Sequence, residues 1–366
     1  GLNRYDGHEF VSYFHDAENP DSLSHDWIWD LHLDGQGTLW IGTAGGLNRF
    51  TPGAGDVQPE FSQLANGFAE QPVRVIGEDS QGTLWLGSDG GGVIRYEPDT
   101  GVVHQFLHDP EDPRSLSSNR VKALHVDGNG FVWVGTDGGG LNRLDPVSQR
   151  FARIELDGND GRVRFITADS HGDLWVATSE RGLYRLDATG AVTAHFTAEG
   201  VSGLSSNAIR VLFEDDRGTL WVGTDSHGLN QFDPLSNRFG ALRHQPSNIY
   251  SLNDDHITAM YQDRAGVIWV GTHVGPNTWN PHVGGFSTFS RLGEGEGELS
   301  NNWIAGFAEA PDGRIYVATA GGGVNRVDLE SGVAVVLGPA GGEGALADSR
   351  VMALVVTSEG VVWAGT

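Results

Sequence analysis

With 48 acidic against 23 basic side chains, the 366-residue chain carries a formal charge of −25. That charge argues against DNA, RNA or an anionic membrane surface as a partner, because each needs a basic face. The chain has no cysteine, which excludes a disulfide framework and thiolate metal sites. No apolar run approaches the ~18 residues of a membrane span, so no membrane insertion by this segment is expected.

What remains is a sequence rich in glycine and tryptophan, 54 Gly and 11 Trp, with enough apolar side chains for a core. Such a composition fits many turns punctuating many short strands. From the start, residues 1–14 (GLNRYDGHEFVSYF) hold two strand signals, Gly1–Tyr5 and Glu9–Phe14. A unit then begins that recurs to the end of the chain. Its core phrase reads LWIGTAGGLNR from Leu39, LWLGSDGGGVIR from Leu84, VWVGTDGGGLNR from Val132 and LWVGTDSHGLNQ from Leu220. Aromatic anchors fall at Trp40, Trp85, Trp133, Trp175, Trp221, Trp269, Tyr316 and Trp363, with spacings of 45, 48, 42, 46, 48, 47 and 47. A period of about 40–50 residues made of short strands predicts an all-β fold, a β-propeller with four antiparallel strands per blade.

Each unit resolves into four strands. The first is an apolar-rich run such as Val121–Val126, followed by an Asp-x-x-Gly turn at 34–37, 79–82, 127–130, 169–172, 215–218 and 263–266. Asp at the first turn position bonds its own backbone and Gly takes the left-handed position. The LWVGT phrase is the second strand, GLNRF and its variants the third, and an aromatic-tipped run such as Arg150–Ile154 the fourth. A longer connection, often Ser-Leu-Ser-x-Asn, leads onward. The blades then span about 27–63, 72–107, 119–155, 161–197, 207–243, 255–290 and 302–337, with 350–366 and 1–14 sharing an eighth. That arrangement closes an eight-bladed ring between the chain ends within a single segment, 1–366. Seven complete blades with leftover half-blades fit the spacing equally well. Both ends lie inside repeat phrases, so the chain reads as a window from a longer protein.

A glycine-rich stretch behind a strand could also cradle phosphate. A phosphate loop, however, is unique and opens a helix, whereas these glycines recur between two strands of every blade. They read as hairpin and close-packing glycines, and the Trp column reads as filling between adjacent blades. No zincin His pair, G-x-S-x-G elbow or thiol is present, so neither a cofactor, a metal nor a catalytic residue is expected.

Five residues before each Asp-x-x-Gly turn, the first strands carry Trp29, Arg74, Lys122, Arg164, Arg210, Thr258, Ala305 and Met352. Two residues earlier stand Trp27, Pro72, Arg120, Arg162, Ala208, His256, Trp303 and Arg350. The first strand of a propeller blade is innermost, so these columns place cations and aromatics around the mouth of the central channel. Arg offers bidentate bonds to carboxylate or sulfate, and Trp a flat platform for a sugar face. The binding set expected on this reading is Trp27, Trp29, Arg74, Arg120, Lys122, Arg162, Arg164, Arg210, His256, Trp303 and Arg350. The rival reading pairs each Arg with an Asp of a blade-crossing loop, such as Asp137 or Asp225, and locks blades together. The loops at Ser179–Arg181 and Asp225–His227 are the irregular ones and candidates for specificity.

The phrase set D-x-x-G-x-L-W-[IV]-G-T-x-x-G-G-L-N-R-[FY]-[DE]-P followed by S-L-S-x-N resembles the two-component regulator propeller repeat, over essentially the whole chain. The opening GLNRYDG is similar to the first blade of such proteins. Two units depart from the pattern: WVATSERGLYRL at 175–186, and WVGTHVGPNTWNP at 269–281, with Pro276 in place of Leu. The resemblance implies an extracytoplasmic or periplasmic sensor of a bacterial membrane-anchored protein. A neighbouring propeller or β-sandwich domain, a membrane helix and a histidine kinase or diguanylate cyclase output would lie beyond it. Oligosaccharides are the implied ligand class. The family is usually built as pairs of seven-bladed rings, so the resemblance alone would have this window straddle two of them. The expected function is recognition of an oligosaccharide or another small, anionic ligand. The alternatives are a polysaccharide-active enzyme, which would need two opposed carboxylates or a His/Tyr pair, and a protein–protein scaffold.

Overall fold

In a computed structural model, which describes residues 1–6, 9–53, 59–63, 71–156, 161–279, 286–288, 299–328, 334–337 and 346–366, the chain folds as eight four-stranded antiparallel sheets. It is an eight-bladed β-propeller, and among the described residues there is no helix. A typical blade runs Val121–Val126, Val132–Thr136, Leu141–Asp145 and Arg150–Ile154, paired in that order. The chain divides into two compact units. One comprises His15–Thr197 with Asn207–Ile209, and holds the blades whose first strands are Ile28–Leu33, Val73–Glu78, Val121–Val126 and Val163–Ala168. The other comprises Gly1–Phe14, Ala198–Ser206 and Arg210–Thr366.

The second unit contains the split blade. Ala353–Val356 and Val362–Gly365 are joined by Leu2–Tyr5 and Phe10–Tyr13. Leu2 pairs with Gly365 and Tyr5 with Val362, and the Gly1 amino group donates to the Thr366 carbonyl at 3.2 Å. The chain ends thus complete one blade rather than leaving two half-blades over, which removes the seven-bladed alternative. An unpaired edge in that sheet would be open to other strands.

Each second strand is buried along its whole length, and Trp40, Trp85, Trp133, Trp221 and Trp269 at its second position pack on the next sheet. Trp85 lies among Val121, Val132, Val134 and Phe151, and Trp133 among Val163, Ile166 and Val176. The glycine two residues on is there for close approach. A methyl group on Gly135 would sit 2.5 Å from Val163 Cγ1, below any real contact. The turn glycine is different: Gly130 has φ 84°, where only glycine is unstrained.

The Asp of the turn and the Trp of the strand form one unit. Asp127 Oδ1 accepts the Asn129 and Phe131 amides, while Oδ2 accepts Trp133 Nε1–H at 2.9 Å. The same bond joins Asp34 to Trp40, Asp79 to Trp85, Asp169 to Trp175, Asp215 to Trp221 and Asp263 to Trp269, at 2.8–3.1 Å. Burial alone would raise the Asp34 carboxyl, but hydrogen bonds from Trp40, Thr38 and Gln36 outweigh it and hold the group below the ordinary carboxylate range. One blade lacks both partners together, with Ala310 and Tyr316 in their places.

A second column is the Asn of Gly-Leu-Asn-Arg. Asn142 Oδ1 accepts the Ser117 amide at 3.0 Å, and its Nδ2 donates to Ser117 Oγ at 2.7 Å. Asn48, Asn277 and Asn325 hold Ser24, Asn253 and Ser300 by the same two bonds, and Asn230 accepts the Ser205 amide while its Nδ2 donates to the Val222 carbonyl. Each is fully buried, so the incoming connection is pinned by a satisfied polar group in the core.

Candidate functional site

The first strands are bulged at one fixed position. The register shifts between Ile28 and Asp30, Val73 and Val75, Val121 and Ala123, Val163 and Phe165, Ile257 and Ala259, and Ile304 and Gly306. The residues stepped over are Trp29, Arg74, Lys122, Arg164, Thr258 and Ala305, which is the column singled out from sequence. A bulge leaves one residue out of the ladder and re-aims its side chain. The column is therefore a row of side chains released from strand pairing.

In the His15–Thr197 unit these cations, with Arg120 and Arg162 beside them, form a ladder with carboxylates of their own and of the preceding blades. Lys122 Nζ donates to Asp89 at 2.6 Å, and Arg120 reaches Asp89 at 3.3 Å and Asp137 at 2.7 Å. Arg162 lies 3.7 Å from Asp137 and 3.6 Å from Glu180. Arg74 sits 4.0 Å from Asp89 and 4.5 Å over the Trp29 ring. Burial would raise the Asp89 carboxyl, but the hydrogen bond and charge of Lys122, then Arg120 and Arg74, hold it below the usual range. Short backbone bridges Asp89–Arg120 and Asp137–Arg162 fix the same junctions. Much of the row thus staples blade to blade, as the rival sequence reading expected for Asp137.

Arg164 differs: its Nε donates to the neutral Ser179 hydroxyl at 2.8 Å, and the residue is exposed. Arg162 is also exposed. Trp27, half-exposed at 53%, completes this unit's share of the expected residues. Arg74, Arg120, Lys122, Arg162 and Arg164 outnumber Asp89, Asp137 and Glu180, so a local positive excess survives on an acidic chain.

The other unit holds Arg210, His256, Trp303 and Arg350. Arg210 pairs with Asp225 at 2.9 Å, the partner named by the rival reading, and Arg350 is exposed. His256 stacks on His273 with ring centroids 4.8 Å apart, and His273 lies 4.4 Å from the Trp303 ring. Asp254 Oδ1 is 3.3 Å from His256 Nδ1. Burial first, then the neighbouring His256, keeps His273 below the ordinary imidazole range. His273 and Asp254 were not singled out from sequence; 17 residues separate the two histidines, a spacing that carries no signal until the strands are paired.

Asp30, an inner-strand acid, also lies outside the binding set expected from sequence. Its Oδ2 accepts the Ile76 amide of the next blade at 2.8 Å and its Oδ1 the Leu31 amide at 3.0 Å. Burial pushes its pKa up to about 6, against these amides and His32. Between the ordinary value of 3.8 and about 6, the folded chain therefore holds a proton that the unfolded chain has lost. This group's contribution is fully present below 3.8 and is lost as pH rises through about 6. Asp30→Asn keeps an acceptor for the Ile76 amide and removes the charge. It is expected to raise stability by on the order of 2 kcal/mol above pH ~6 and to change little below pH ~4, after allowance for partial hydration. Urea melts at both pH values check this, and a variant less stable at high pH contradicts it.

The fold and the bulged first strands define the protein as an eight-bladed β-propeller. The model of the two component regulator propeller repeat matches five stretches, residues 22–45, 67–90, 115–138, 203–226 and 251–273. No curated protein matches the sequence. Among solved structures, the extracellular domain of the hybrid two component system BT4673 from B. thetaiotaomicron is similar, with 20% identity and a TM-score of 0.61. That match covers 98% of this chain and 49% of the other. The corresponding domain of BT3049 from the same organism gives 20% identity and 0.58, covering 97% and 52%. The chain thus spans about half the length of these domains. Virginiamycin B lyase from Staphylococcus aureus shares the fold at 14% identity and a TM-score of 0.58, covering 89% of this chain and 98% of the lyase.

Proposed function

We propose that this segment is the extracytoplasmic sensing part of a membrane-anchored signal-transduction protein. It is not itself catalytic, and it recognises an oligosaccharide or another small ligand through an anionic group. The bulged first-strand row carries the reading: it frees cationic side chains from pairing on a chain of charge −25. Within it, Arg164 is the anchor, bonded to the neutral Ser179 hydroxyl, with the exposed Arg162 two residues before it, while Lys122 and the neighbouring Arg120 staple one blade to the next through Asp89. Trp27 supplies an apolar platform. A neighbouring propeller or β-sandwich domain of the same protein receives the signal, and binding must favour one packing against it for a signal to pass. The repeats and the likeness to extracellular domains of two-component systems support this setting.

A thermal-shift screen of the chain against neutral and acidic oligosaccharides tests it. A ligand at a hundred times its Kd stabilises by about 2.7 kcal/mol. Acidic sugars are expected to raise Tm, and the Arg162→Glu/Arg164→Glu variant to lose that rise. No shift with any sugar would favour the scaffold reading, and turnover of a glycan would favour the enzyme.

A further inference from the structure

We propose that Asp254, His256 and His273 form a binding site for a divalent first-row transition ion of the Zn²⁺, Ni²⁺ or Cu²⁺ type. The ligand-capable atoms of these three side chains lie within 4.8 Å of one another. They come from two adjacent stretches of one blade: Asp254 and His256 precede its first strand, Ile257–Gln262, and His273 follows its second, Ile268–Thr272. The antiparallel pairing of Ile257 with Thr272 sets the two sides face to face. The site is thus a consequence of register.

A second observation points the same way. Among the described residues, few buried side-chain polar atoms lack a hydrogen-bond partner, and His273 Nε2 is one of them. A buried nitrogen without a partner forfeits the hydration it would have in water. Metal coordination or a hydrogen-bond donor would satisfy it, and a second imidazole and a carboxylate stand close by. Two stacked histidines beside a carboxylate are a poor arrangement for two separate protons and a good one for one shared cation.

Donor chemistry selects the class of ion. Two imidazoles and one carboxylate suit Zn²⁺, Ni²⁺ and Cu²⁺, whereas Mg²⁺ and Ca²⁺ favour all-oxygen sets. Three protein ligands leave room for a fourth, exchangeable one. Bonds of about 2.0–2.2 Å around one ion bring ligand atoms to roughly 3.3 Å from each other, so the side chains must close inward. All three are only partly buried, which leaves that rotation open. The near-parallel imidazoles, 15° apart, must splay so that their in-plane nitrogens converge. His256 and Trp303 were expected from sequence to meet a ligand. Here His256 binds the ion and Trp303, against His273, reports on it.

Titration calorimetry of the whole chain with ZnCl₂, and quenching of tryptophan fluorescence by Cu²⁺, test the site. One Zn²⁺ per chain is expected, with Kd of about 10 µM or tighter. Asp254→Asn is expected to weaken it at least tenfold, and His256→Gln/His273→Gln to abolish it; His171→Gln, an exposed turn histidine, leaves it unchanged. Cu²⁺ quenching should saturate at one equivalent and lose part of its amplitude in Trp303→Phe. Binding absent from the wild-type chain, or a one-to-one stoichiometry that survives Asp254→Asn and the double His variant alike, would overturn the proposal. The wild-type and Trp303→Phe titrations decide the matter even if the double His variant does not fold.

Discussion

Removal of residues 1–14 is expected to abolish cooperative folding of the Gly1–Phe14, Ala198–Ser206 and Arg210–Thr366 unit. The deletion takes away two of the four strands of one blade and exposes Val362–Gly365 as an open edge. It also removes Leu2, Tyr5 and Phe10, which are 0%, 6% and 4% exposed, and of these Tyr5 and Phe10 pack with Tyr316, Val351 and Val362. Burial of each such side chain is worth about 1.5–3 kcal/mol. The sum is comparable to the whole stability of an ordinary domain, about 5–15 kcal/mol. Asn3, fully buried, would no longer accept the Ala347 amide or donate to the Ala364 carbonyl. Calorimetry with size-exclusion chromatography reads the result: loss of the sharp transition and self-association through the bare edge. A truncated chain that melts at the wild-type temperature as a monomer contradicts the account of the split blade.

The second large effect lies in the Asp–Trp column. Trp221→Ala is expected to cost about 3–5 kcal/mol, because it empties the space between two sheets where Ile257, Ile268 and Val270 meet the indole. Asp215→Asn tests the polar half separately. Its carbonyl oxygen can still accept the Thr219 and Arg217 amides, but its NH₂ then faces Trp221 Nε1–H, donor against donor. A buried donor left unpaired costs about 1–3 kcal/mol. The two positions are coupled, so Asp215→Ala with Trp221→Tyr should cost less than the sum of the single changes. The chain performs that double replacement itself at Ala310 and Tyr316. Strict additivity in chemical denaturation would mean that the shared hydrogen bond contributes nothing.

Much of this was legible in the sequence because a propeller writes itself out once per blade. The 42–48-residue spacing of Trp40 through Trp363 announced the sheets, and the glycine positions separated turns from close contacts. The Asp residues were read as turn formers, which they are. Their second role, taking the indole N–H six residues on, was hidden because the turn already explained them. The Asn column was visible but unused. Asn is replaced by Ile94 in GVIR and by Tyr184 in GLYR, and those units lack the Leu-Ser or Leu-Asn pair that precedes the blades of Asn48, Asn142, Asn230, Asn277 and Asn325; the co-occurrence could have paired loop and side chain. The bulge could not be read, since it is a property of two strands in register, and no single strand encodes it. For the same reason Asp254 and His273 stayed apart on paper, and Asp30 showed no sign of its bond to the next blade. The cation row was found by alignment alone, but which members are stapled and which are free depends on carboxylates about 15–33 residues away, as Asp225 is from Arg210 and Asp89 from Lys122.

The central claim is that Arg164, bulged out and bonded only to the Ser179 hydroxyl among its described contacts, recognises an anionic ligand rather than locking blades. The decisive measurement is a pair of readings on Arg164→Glu: the affinity for an acidic oligosaccharide identified by the thermal-shift screen, and the Tm without ligand. Recognition predicts an affinity at least tenfold lower, a loss of about 1.4 kcal/mol or more, with an unchanged Tm. Unchanged affinity with a lowered Tm would contradict the account and make Arg164 one more staple of the propeller.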